Sequence, residues 1–138
     1  MSKVYETITL KNNDDLTLFA LGHIAEKSIR QIDIKVLVDT GAHSALILPK
    51  EVCAQLGLRT TGTEDITVAG GAELQCSIVS SIELWWRKRN IVVSALVLPG
   101  EKEAILGITA LEQLDLAVDP VNGILFGVHG EKKLLSVK

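Results

Sequence analysis

The chain has 138 residues, 47% of them hydrophobic and 22% charged, with a formal net charge of −3. That size and composition imply one domain over residues 1–138 with enough apolar material for a core, and they exclude the basic face a nucleic-acid partner requires. No apolar run approaches the roughly 18 residues of a membrane span, and MSKVYETITL alternates instead of forming an apolar h-region, so a cytoplasmic protein with no membrane partner is expected.

Taken in order, Val4–Leu10 alternates and predicts a strand, and Lys11–Asp15 (KNNDD) reads as a polar turn. Leu16–Glu26 reads as a second strand. Ile32, Ile34, Val36 and Val38 recur at every second residue, the period of a half-buried strand that ends at Asp39. Ser44–Leu48 is apolar again and stops at Pro49. Lys50–Leu56 predicts a short helix, with Val52, Cys53 and Leu56 on one side and Gly57 as its stop. Ile66–Val68 and Leu74–Ile78 read as strands joined through Ala69, Gly70, Gly71 and Ala72, a hairpin connection. Ser80–Trp86 and Ile91–Leu98 read as another hairpin across Arg87–Asn90. Within it the basic cluster Arg87, Lys88 and Arg89 is expected to be a solvated turn. The adjacent Trp85 and Trp86 must face opposite sides of their strand, one of them toward the core. Ala104–Leu106 is a short apolar segment that meets Gly107. Thr109–Leu116 predicts a helix with Thr109 as its N-cap. Asp119–Gly123 is a turn, and Ile124–Val128 and Leu134–Val137 are closing strands.

Many short strands with regular turns predict a mostly β, barrel-like or sandwich fold with one or two short helices. Cys53 and Cys76 are too few for a disulfide scaffold, match no zinc spacing, and read as small buried hydrophobes. His23, His43 and His129 are scattered. No metal or cofactor is expected.

The chemistry concentrates in VLVDTGA, Val36–Ala42, where an apolar strand delivers a carboxylate onto a tight turn. Burying a carboxylate is costly unless it is hydrogen-bonded or put to use. Two readings of the tripeptide stay open. One is a β-turn using Asp and Gly for their turn chemistry. The other is acid–base catalysis, in which one carboxylate takes a proton from water and a second, sharing a proton with it, protonates a carbonyl oxygen. Asp-Thr-Gly occurs once in this chain, so on the second reading the other carboxylate comes from another copy.

Three features in order resemble the retropepsin-like (clan AA) aspartic proteases of the single-domain prokaryotic type. They are VLVDTGAHSALI (Val36–Ile47), the glycine-rich hairpin Ala69–Ala72, and AILG (Ala104–Gly107) with LEQL after it. The ending LDLAVDPVNGIL, Leu114–Leu125, is also similar to these members. The resemblance implies the closed retropepsin (acid protease) barrel. It further implies an aspartic endopeptidase acting on extended peptide as a homodimer, with Asp39 of each subunit activating water. Residue by residue, it makes Thr40 a brace across the dimer axis. Gly41, with Thr40 and Ala42, presents loop backbone to substrate. Ala69, Gly70, Gly71 and Ala72 become the flap, and Ile105, Leu106 and Gly107 the support behind the loop. Ala42 in this position goes with milder pH optima in the group. His43 and Ser44 stand where many viral members carry acidic residues, AGGA lacks a diagnostic aromatic, and Met1–Arg30 has no clear counterpart. The tail GEKKLLSVK either pairs two subunits or closes the barrel. The alternative is a catalytically silent dimerisation or peptide-binding module with the same fold.

Overall fold

The structure is a computed structural model that describes residues 3–130. Its strands are β1 (Val4–Asn12), β2 (Gln31–Asp39), β3 (Leu46–Ile47), β4 (Arg59–Thr67), β5 (Glu73–Trp86), β6 (Arg89–Val97), β7 (Ile105–Gly107), β8 (Leu116–Asp119) and β9 (Ile124–Gly127). Three short helices intervene, α1 (Asn13–Ala20), α2 (Lys50–Leu56) and α3 (Ile108–Leu114), with one 3₁₀ turn at Glu26–Ser28.

The strands run β1-β2-β7-β3-β6-β5, and β5 returns to β1, which closes a barrel. The closing seam pairs Thr9 with Trp85 and Asn12 with Ile82. Alternation explains which side chains fill the interior. Val4, Ile8 and Leu10 of β1 point inward, as do Val36 and Val38 of β2 and Ile82, Leu84 and Trp86 of β5. The core continues through Leu46, Leu106, Leu111 and Leu114. Cys53 and Cys76 are buried, and burial pushes both thiols up from their ordinary pKa.

β5 is longer than its sequence suggests. Its first half pairs with β4 to make a hairpin that extends beyond the barrel, with Ser77–Val79 also paired to β6, and its second half closes onto β1. The two segments expected on either side of Val79 are one strand bent by a bulge. Its register against β6 shifts between Val79 and Ile82, and Ser81 takes a positive φ of 66°.

Leu16–Glu26 is not a strand. β1 continues through Asn12, whose side-chain oxygen accepts from the Asp15 amide at 3.0 Å and caps α1. Asp14 and Asp15 in the first turn favour the helix N-terminus. Asn12 also donates through Nδ2 to the Leu56 carbonyl at 2.8 Å, so the cap joins two helices. The buried Asp15 accepts from the Arg30 amide at 3.0 Å, Nε at 2.9 Å and a terminal nitrogen at 3.0 Å. Those bonds to Arg30 hold its carboxyl below the ordinary value of 3.8. Because the folded pKa is the lower one, this stabilisation is complete above 3.8 and lost as pH falls through the lowered value. Asp15→Asn is expected to destabilise the protein by about 1–3 kcal/mol at neutral pH. Urea titrations should show that deficit shrinking in strong acid, and a deficit constant with pH would refute the electrostatic account.

The cluster at Arg87–Arg89 also departs from expectation. The turn is Arg87 and Lys88, both exposed, whereas Arg89 opens β6 and is 7% exposed. Its guanidinium donates to the carbonyls of Leu114 (2.7 Å) and Asp115 (2.9 Å), and to that of Gly130. It thereby satisfies the C-terminal end of α3, whose last carbonyls lack helical partners. Thr109 is not the N-cap of α3. Gly107 takes that position, and the Thr109 hydroxyl turns to the His43 carbonyl instead. The expected strand Leu134–Val137 lies outside the described residues.

Candidate active site

β2 delivers Asp39 at its last residue, with Val36 and Val38 anchored in the core. The chain then reverses over Thr40 and Gly41. The Ala42 amide closes the turn onto the Asp39 carbonyl at 3.1 Å. The Gly41 amide donates to Asp39 Oδ1 at 2.9 Å, fixing the carboxylate against its own loop. A Cβ on Gly41 would lie 3.2 Å from that same oxygen, so the bare backbone lets amide and carboxylate approach. Asp39 is half-buried, and Thr40 and Gly41 are exposed.

Behind this loop runs β7. It pairs in parallel with β2, placing Leu37 beside Ile105, Val38 beside Leu106 and Asp39 beside Gly107. On its other side it pairs with β3, Leu46 to Leu106 and Ile47 to Ile105. The loop from Ala42 to Ala45 is laced to the end of β7 by two bonds. The Gly107 amide donates to Ala45 O and the Ile108 amide to Ala42 O, both at 2.9 Å. Gly107 is required by proximity, since a Cβ there would meet Ser44 O at 1.8 Å and Ala42 O at 2.8 Å. Thr109, at the start of α3, adds its hydroxyl bond to His43 O. Sequence reasoning read Thr109 as a helix cap and missed this contact. The available signal was its place two residues after a glycine that packs against the loop.

The residues singled out from sequence therefore fall in two places. Asp39, Thr40, Gly41 and Ala42 form one loop, and Ile105, Leu106 and Gly107 form the strand directly behind it. Ala69, Gly70, Gly71 and Ala72 sit apart, at the exposed tip of the β4–β5 hairpin. There the Val68 amide donates to Ala72 O and the Gly71 amide to Val68 O. Gly70 and Gly71 have φ of 93° and 84°, a backbone that side chains with a Cβ disfavour. Ser44 and Ala45, which follow the loop, and Glu64 and Ile78 of the hairpin line one cavity of about 510 Å³, whose remaining walls are β6 (Val92–Leu96) and α3 (Thr109 and Gln113).

This architecture matches known proteins. The EIAV protease complexed with the inhibitor HBY-793 superposes with a TM-score of 0.59 at 20% identity, covering 82% of this chain and 88% of that one. At that identity the likeness establishes the fold, the retropepsin barrel. A family profile described as aspartyl protease matches residues 25–110, a span that runs from the approach to β2 into α3 and includes both Asp39 and Gly107. The chain belongs to the aspartyl protease family. No curated protein sequence matches it. Among the described residues, no helix is long and apolar enough to cross a membrane.

Proposed function

We propose that the chain, acting as one domain over residues 1–138, is an aspartic endopeptidase that works as a homodimer, with Asp39 of each copy facing the other across the dimer axis. The observation that carries this reading is the single Asp-Thr-Gly-Ala loop, held from behind by Gly107, in a chain of the aspartyl protease family. One carboxylate takes a proton from a water molecule as its oxygen bonds to the scissile carbonyl carbon. The other, holding the shared proton, gives it to the carbonyl oxygen. Collapse of the tetrahedral intermediate breaks the C–N bond, and a proton passes to the leaving amine. Water is the nucleophile, so the reaction as drawn uses no cofactor.

In this reading Thr40 braces the two loops across the axis, which agrees with its exposure in the single chain. Gly41 and Ala42 offer backbone to the substrate. Ala69–Ala72 close over a peptide bound as an extended strand, the mode in which main-chain bonds give affinity and alternate side chains give specificity. The test is incubation with an unfolded protein over a range of pH and chain concentration, with products read by mass spectrometry. Internal cleavage should rise more steeply than linearly with chain concentration, because only the dimer holds two carboxylates. No cleavage at any pH or concentration would overturn the enzymatic reading and leave a silent dimerisation or peptide-binding module.

A further inference from the structure

We propose that the cavity lined by Ser44 and Ala45 after the Asp39 turn, by Glu64 and Ile78 of the β4–β5 hairpin and by β6 is a substrate subsite selective for a basic side chain, lysine or arginine, with Glu64 as its charge partner. This rests on the peptide-binding site described above and deepens it. Ser44 and Ala45 belong to the segment that follows the Asp39 turn, so the cavity begins where the catalytic loop ends. The β4–β5 hairpin contributes Glu64 and Ile78 to the lining, and β6 contributes Val92–Leu96. Glu64 pairs with Cys76, and Ile78 follows two residues later on the same strand, so the three side chains share one face of the hairpin. Both Glu64 and Ile78 line the cavity, which identifies that face as the one turned toward it. In the proposed binding mode, a peptide running from the Asp39 loop toward the hairpin passes its side chains over this space.

The chemistry of the lining selects among side chains. Ile78, Val93 and Leu96 supply apolar surface suited to an aliphatic stem. Glu64 is the only charged residue lining the cavity, and among the described residues it makes no ion pair. Ser44, Ser94 and Gln113 add polar groups able to bond an ammonium or guanidinium. A glutamate or aspartate of the peptide would meet like charge there, and a basic residue would place its stem on the apolar wall and its head beside Glu64. At about 510 Å³ the space exceeds what one side chain needs, so a neighbouring substrate residue fits as well.

The experiment uses peptide sets in which each position around the cleaved bond is occupied in turn by Lys, Gln or Glu. The wild-type chain is assayed for kcat/KM, and the Asp39→Asn chain for peptide binding by fluorescence anisotropy. At one position Lys should be favoured over Gln by roughly three- to fivefold at low salt, the range of a partly exposed ion pair. The preference should appear in KM and not in kcat, since it is made equally in ground and transition states. It should vanish in Glu64→Gln, turn toward Glu in Glu64→Lys, and weaken as salt is raised. Thermal melting of the Glu64 variants verifies that they are folded. A Lys-to-Gln ratio unchanged by Glu64→Gln overturns the subsite. If nothing is cleaved but a Glu64-dependent preference for Lys persists in binding, the peptidase reading fails and the subsite stands. If no peptide is bound or cleaved, both fail.

Discussion

Asp39→Asn is expected to lower cleavage by about a thousandfold or more while leaving the fold and the dimer in place. The asparagine keeps an oxygen able to accept the Gly41 amide bond now made to Oδ1, so the turn retains its geometry. On the proposed dimeric mechanism, what is lost is the ability to take a proton from water and to share one with a second carboxylate. The chain-level consequence separates this mechanism from one confined to a single subunit. When wild-type and Asp39→Asn chains are mixed in equal amounts and allowed to exchange, random pairing puts half of the wild-type chains into mixed dimers. Activity per wild-type chain should then fall by about half, because a mixed dimer holds one carboxylate where two must share a proton. The measurement is the initial rate on one peptide as the mutant fraction is raised at constant wild-type concentration. A rate that ignores the added mutant chains, with exchange shown by labelled subunits, would exclude a shared active site.

What the sequence revealed of this fold was local and strongly patterned. α2 begins and ends where Pro49 and Gly57 mark it, and Gly57 has the positive φ of 62° that favours glycine at a helix C-terminus. The strand into Asp39 was legible because apolar residues recur at every second position from Ile32 to Val38, and the hairpin tip because two adjacent glycines leave few alternatives. The misreadings share a different cause. The segment after Asn12 carries enough apolar residues to pass for a strand, yet Leu18, Phe19 and Leu21 are exposed. α1 is capped locally by Asn12 on the Asp15 amide, but Leu56, which holds the Asn12 side chain, and Arg30, which pairs with Asp15, are distant in sequence. Arg89 looked like a surface charge because nothing nearby announces the carbonyls of Leu114, Asp115 and Gly130 that it serves. The strands expected at Leu74–Ile78 and Ser80–Trp86 are one because the bulge between Val79 and Ile82 bends the chain without ending it. At the site, the Asp39 loop and its glycine support were visible as an ordered pair of motifs. The Thr109 bond and the placement of Glu64 and Ser44 on one cavity depend on barrel closure and on hairpin register, which no short motif encodes.

Gly107→Ala is expected to be the most damaging single-methyl change in the described chain. The added Cβ would sit 1.8 Å from Ser44 O, 2.8 Å from Ala42 O and 3.0 Å from the Ser44 carbonyl carbon, all backbone atoms that no rotamer change can move aside. Relief requires displacing the Ala42–Ala45 segment from β7, and with it the bonds from Gly107 to Ala45 O and from Ile108 to Ala42 O. The loop that would shift is the one that orients Asp39. A destabilisation of about 3 kcal/mol or more is expected, at the upper end for overpacking because the clash is with main chain on a buried strand. Gly71→Ala provides the contrast. That glycine has φ of 84° and open space where a Cβ would go, so its cost is backbone strain alone, about 1–2 kcal/mol. Urea unfolding of the two variants separates these mechanisms. The fraction of Gly107→Ala that remains folded should also lose activity, whereas Gly71→Ala should lose it only through closure of the hairpin, read as a raised KM. If Gly107→Ala matched Gly71→Ala in stability and retained its turnover, β7 would not be the rigid support that holds the Asp39 loop in place.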